Sequence, residues 1–96
     1  MYTHTYWSQQ LGNLATEMSR LSTVCDISML DPGILERILR NDDSVCGRKN
    51  PPVFRMLRLH LIVFYHIEEQ ASRRLGDDEV RLMLDEVMSA LAKTAW

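Results

Sequence analysis

The chain has little of what interrupts a fold. Four glycines and three prolines in 96 residues leave no room for long irregular loops or a Pro/Gly-rich linker, so a single domain spanning residues 1–96 is expected. It has no long hydrophobic run. The longest, LIVFY at 61–65, falls far short of a membrane span. The first residues, MYTHTYWSQQ, lack a basic start followed by an apolar core, so no secretory signal is expected and a cytoplasmic location follows by default. No charge of one sign dominates: 11 basic and 13 acidic side chains give a net charge of −2. That balance weighs against non-specific nucleic-acid binding and against a membrane surface. There are only two cysteines, Cys25 and Cys46. In a cytoplasmic protein both are expected as free thiols, with a Cys25–Cys46 bridge sterically open.

Catalytic signatures are missing as well. There is no HExxH, CxxC, glycine-rich phosphate loop or nucleophile elbow. His60 and His66 differ by six positions, which puts about 240° of helix between them, so they do not converge on one ligand. His60 falls on an apolar stripe and reads as a satisfied core or interface residue. A structural zinc needs about four ligands, and neither cysteine has a nearby pair. Cys46, beside Arg48 and Lys49, is the thiol whose neighbours favour reactivity. The acidic groups Asp42-Asp43, Glu68-Glu69 and Asp77-Asp78-Glu79 read as helix caps and solubilising charge. No enzyme activity, cofactor or metal is expected.

What the sequence does contain is helical periodicity. Trp7, Leu11, Leu14, Met18, Leu21 and Cys25 are spaced 4, 3, 4, 3, 4 among polar residues, a narrow apolar seam on a helix capped by Thr3 or Thr5 and ending near Val24. Asp31-Pro32 is an N-cap followed by a first helical residue, Ile34, Leu35, Ile38 and Leu39 repeat at helical spacing, and Asn41-Asp42-Asp43-Ser44 stops the run. Asn50-Pro51 starts a third helix that reaches Leu75, with Gly76 as the left-handed stop. Along it Leu57, Leu61, Phe64, Ala71 and Leu75 form one stripe, interrupted by Glu68. Val53, Met56, Val63 and Ile67 form another, and Leu59 and Ile62 add to it. Around 59–67 nearly every direction is apolar, a wide arc for a chain of this size to cover. Asp77 caps the fourth segment, whose seam is Val80, Leu84, Val87, Leu91 and Ala95, broadened by Met83 and Met88. The fold expected is all-α: a small helical bundle of three long helices and one short one, dimeric, with the last two helices as an antiparallel hairpin.

Function is read from the apolar surface that such a bundle leaves. The first seam wants a partner, Tyr2, Tyr6 and Trp7 cluster at one end of the chain, and aromatic residues and Met are favoured at interfaces. Tyr6, Trp7, Leu11, Leu14 and Met18 are therefore the expected partner-binding surface, with Trp7 as its anchor. Leu57, Leu61, Phe64, Leu84, Val87 and Leu91 are the expected dimer or core set. A second reading is a small DNA-binding regulator. Residues 36–60 sum to +3, and Arg48, Lys49 and Arg55 would grip phosphate near a helix start. About ten residues separate the second and third helices, where a helix-turn-helix has three or four, so nucleic acid is the weaker of the two partners.

In size and helical layout, through WSQQLGNLATEMSRL and SVCGRKNPPVFRMLRLHL, the chain resembles the QslA-type anti-activators of quorum sensing. Those are small bacterial proteins that bind a LuxR-type transcription activator and block its dimerisation. The resemblance implies a non-enzymatic inhibitor of transcription activation that works by protein contact. It carries no residue roles.

Overall fold

A computed structural model describes residues 3–46 and 51–94. Among them are four α-helices: α1 (His4–Cys25), α2 (Pro32–Leu39), α3 (Pro51–Leu75) and α4 (Asp77–Thr94). A 3-10 turn, Asp43–Cys46, lies between α2 and α3. The all-α expectation is borne out.

The helix ends follow the capping chemistry closely. Thr3 caps α1, its hydroxyl accepting from the Tyr6 N–H at 3.2 Å. Asp26 ends that helix in the left-handed region at φ 53°, and the next N–H, of Ile27, donates back to the Ser22 carbonyl at 3.1 Å. Asp31 caps α2 by accepting from the Gly33 N–H at 2.9 Å, with Pro32 at the first helical position. Asn41, at φ 64°, closes α2 in the same left-handed way, and the Asp42 N–H donates to the Arg37 carbonyl at 2.9 Å. Gly76, at φ 101°, is the single residue between α3 and α4. Asp77, expected as the cap of α4, is instead its first helical residue. The Gly76 carbonyl already accepts from the Val80 N–H at 3.1 Å, so Gly76 ends one helix and begins the next. The expected cap Asn50 lies outside the described residues.

Packing centres on α1, which makes extensive contact with both α3 and α4, whereas α3 and α4 touch each other much less. Trp7, Leu11, Met18 and Leu21 meet Phe54, Leu57, Leu61 and Phe64 of α3, and Val80, Met83, Val87 and Leu91 of α4, in one core. Leu11, Leu57, Met83 and Ile38 are the largest side chains that are fully buried. The buried arc of α1 is wider than its seam, because Ala15, Ser19 and Ser22 are buried too. These small residues flank the seam, and Ser19 and Ser22 share a cavity with Leu91 of α4. Their burial costs little: the Ser22 hydroxyl donates to the Ser19 carbonyl at 2.8 Å, a bond within the helix itself.

The short α2 lies against α3, with Ile38 wholly buried. The Arg58 guanidinium reaches back from α3 to the Leu39 carbonyl at 3.4 Å. Cys25 and Cys46 form a disulfide between the end of α1 and the 3-10 turn, with Cα atoms 4.8 Å apart. This corrects the expectation of two free thiols. Their approach follows from the fold: the 21-residue separation is spanned by α2 doubling back, which delivers Cys46 to the end of α1.

Candidate functional site

The surface first expected to bind a partner is core. Trp7, Leu11 and Met18 are 7, 0 and 3 % exposed, and Leu14 is half-buried against the same cluster. Of that set Tyr6 alone is exposed, its ring edge-on to Trp7 with centroids 5.2 Å apart. The physical reason is position. α1 lies between two helices, so both flanks of its seam are covered. The dimer or core set also resolves as core: Leu57, Leu61, Phe64, Val87 and Leu91 are buried and Leu84 is half-buried.

The apolar residues left over are on α3. Met56, Leu59, Ile62 and Tyr65 are 47, 54, 39 and 39 % exposed. They are three positions apart, so they form one ridge that slopes around the helix rather than a stripe along it. The wide apolar arc of the sequence thus splits into two lines. One, through Leu57, Leu61 and Phe64, faces the core. The other faces solvent. Single exposed apolar residues such as Leu82 and Val24 are ordinary, but a continuous ridge of four is a different feature.

At its C-terminal end the ridge runs into a pocket. Tyr65 and Glu68 of α3 share it with Leu84 and Met88 of α4; Met18 of α1 and Leu35 of α2 also line it, and its volume is about 180 Å³. The pocket exists because α3 and α4 separate beyond their hinge at Gly76. Glu68 is the one acidic residue in an otherwise apolar lining, and its carboxylate has no hydrogen-bond or ion-pair partner among the described residues. Burial pushes its pKa above the usual glutamate value, and raises that of the neighbouring Tyr65 phenol, with the Glu68 charge adding to the effect. A second cavity lies at the corner after α1, lined by Ser19, Ser22, Thr23, Asp26 and Ser28 among others. The Ser22 and Thr23 hydroxyls there already donate to the Ser19 carbonyl.

Among the described residues, three arginines of the basic region have partners within the chain. Arg37 pairs with Asp42 at 3.0 Å and donates to the Ser44 hydroxyl at 2.7 Å. Arg40 pairs with Glu36, and Arg58 is tied to Leu39 as above. Asp42 is held down to about 2, first by the hydrogen bond from the Ser44 hydroxyl, then by Arg37 and the Ser44 N–H. Arg55 is exposed on α3, while Arg48 and Lys49 lie outside the described residues. His60 is half-buried, with Nδ1 2.7 Å from the Met56 carbonyl, the geometry of a ring N–H donating within its own helix. No group of three or more His, Cys, Asp or Glu side chains placed to hold a metal occurs among the described residues, and no described helix is long and apolar enough to cross a membrane.

Comparison with protein-family models, with curated proteins and with solved structures returns no match. The site therefore rests on geometry. Sequence periodicity located the apolar excess of α3 but not which of its lines faces out. The ridge could have been found from its spacing of three, and the pocket from the charge at position 68 that breaks the buried stripe.

Proposed function

We propose that this chain is a non-enzymatic regulatory protein that binds another protein through apolar helical surface. The observation that carries the reading is the exposed ridge Met56–Leu59–Ile62–Tyr65. Four large apolar side chains on one line of a folded helix are costly to leave in water, and association removes that cost. The resemblance to QslA-type anti-activators supplies the partner class: a LuxR-type transcription activator, sequestered as a monomer in the cytoplasm. There the Cys25–Cys46 bridge would be exposed to reducing thiols. Homodimerisation is part of the proposal. Since the residues first assigned to it are core, a second copy would have to seat on the ridge, and self-association would compete with partner binding.

The test is light scattering on a LuxR-type activator from the same source, alone and mixed with this protein. The expected result is loss of the activator dimer and a new mixed complex, which Leu59→Glu prevents. An activator dimer that persists at saturating concentrations of this protein contradicts the reading. The alternative, a DNA-binding regulator gripping phosphate through Arg48, Lys49 and Arg55, predicts binding to duplex DNA that weakens steeply with salt. Arg37 and Arg40 are held in surface ion pairs and Arg58 is tied to the Leu39 carbonyl, which leaves Arg55, exposed on α3, as the one cation of the phosphate-gripping set among the described residues.

A further inference from the structure

The pocket between α3 and α4 deepens this reading by describing what the partner must present. We infer that it seats one large apolar side chain of a partner helix, and that Glu68 receives a basic side chain next to that anchor on the same helix. The inference rests on the protein-binding reading and goes beyond it in assigning a site and a ligand chemistry.

Size comes first. About 180 Å³ is below the roughly 300–1,000 Å³ typical of sites for small molecules. It suits a single aliphatic or aromatic side chain, the kind of anchor that fills a pocket at the centre of an interface. Shape comes second. The walls are two helices: Tyr65 and Glu68 on α3 face Leu84 and Met88 on α4, with Met18 and Leu35 behind. Tyr65 and Met88 stand 39 and 37 % exposed at the rim. A trough with helical walls and an apolar floor is the form that accepts an amphipathic helix, and the ridge of α3 extends the contact beyond the pocket.

Charge decides the rest. Glu68 has no hydrogen-bond or ion-pair partner among the described residues, and a half-buried carboxylate beside an apolar pocket is stabilised by a charge-assisted donor. The surroundings have the same sign: residues 61–96 sum to −3, and Asp85, next in the chain to the lining residue Leu84, lies exposed on α4. A partner helix with Lys or Arg beside its apolar anchor is complementary to this wall, and an acidic one is repelled. Burial of the carboxylate, which raises its pKa, is the condition under which such a donor has most effect.

The experiment uses the full chain and two synthetic helical peptides of about five turns. Both carry Leu at helical spacing on one face. One has Arg beside the central Leu and the other has Glu. Binding is read by fluorescence anisotropy, and a nitroxide on the central turn of the Arg peptide maps the contact by amide broadening. The Arg peptide is expected to bind at least 10-fold tighter than the Glu peptide. Glu68→Gln should remove most of that preference, and Met88→Trp, which fills the pocket, should weaken both peptides. Broadening should centre on Tyr65, Leu84 and Met88. The map needs no variant, so it decides the matter even where Met88→Trp fails to fold. Equal binding of the two peptides, no binding of either, or broadening centred elsewhere overturns the inference. So does a dimer of this chain that protects Leu84 and Met88, the α4 wall of the pocket, since the occupant is then a second copy. If Leu59→Glu abolishes capture of the activator while Glu68→Gln leaves it intact, the pocket assignment fails and the protein-binding reading stands. If the activator is not captured at all but the Arg peptide seats as described, the reverse holds.

Discussion

α1 and α3 carry the same spacing and use it differently. In α1 the positions 7, 11, 14, 18, 21 and 25 are all apolar. In α3 the matching positions 57, 61, 64, 68, 71 and 75 are apolar except for Glu68. The α1 seam is closed on both flanks by α3 and α4, and its outward face is polar: Gln9, Asn13, Thr16 and Arg20 are exposed. The α3 seam is buried as well, chiefly against α1 with α2 and α4 beside it, but its outward face carries the ridge. An identical apolar period therefore says that a helix has a buried line. It does not say how many neighbours that line serves, nor what the other faces are for. Those follow from where each helix stands in the bundle, and the residues that break the pattern, Glu68 on one line and Leu59 on the other, mark where α3 turns from the core toward solvent.

Truncation separates the two lines of α3 with the largest effect. Leu57→Ala, like Leu11→Ala in α1, is expected to cost about 2–5 kcal/mol, while Leu59→Ala two positions away should stay within about 0.5 kcal/mol. Urea unfolding of the three variants reads this directly. Equal losses at 57 and 59 would mean that the ridge is core. Next in size is the bridge that ties the end of α1 to the 3-10 turn after α2. Replacing both Cys25 and Cys46 by Ser releases a loop of 21 residues, which chain entropy values at about 3 kcal/mol. Equal midpoints for the wild-type chain with and without a dithiol reductant would show that the bridge does not form in solution.

A smaller change repairs the break in the α3 seam. Glu68→Leu should stabilise the chain by about 1 kcal/mol, roughly half the value of fully burying a leucine. The sign agrees with the carboxyl: its folded pKa is raised, so ionising it lowers stability as pH rises from the unfolded value through the folded one. A destabilised Glu68→Leu chain would mean that the charge has a structural partner. The smallest effect concerns Asp42, whose folded pKa is depressed to about 2. Its support for the turn after α2 is present above the ordinary aspartate range and is lost as pH falls toward that value. NMR titration of Asp42 with its Ser44 neighbour should find the low midpoint, and a midpoint in the usual range would remove the Ser44 and Arg37 contacts from the account.

Much of the fold could be read before any coordinates. Thr3, Asp31, Pro32, Pro51 and Gly76 mark helix ends through local chemistry, which depends on a few neighbours in the chain. What was not legible depends on neighbours in space. Ser19 and Ser22 look like solvated residues and are buried because a small side chain with an internal hydrogen bond lets α4 approach. Trp7 and Leu11 look like an unpartnered seam and are core because two later helices converge on them. Cys25 and Cys46 pair because α2 turns the chain back. The site was half legible: the excess apolar arc of α3 was plain, but its division into a buried line and a ridge needed the direction of α1.

That division is the central claim, and exposure of methyl groups to a soluble paramagnetic probe tests it most directly. In the free monomer the methyls of Leu59 and Ile62 should relax strongly, while those of Leu57 and Leu61, on the same helix, should be nearly unaffected. Ridge methyls as protected as the core ones would contradict the account, because something within the chain would then already cover the surface on which a partner is proposed to sit.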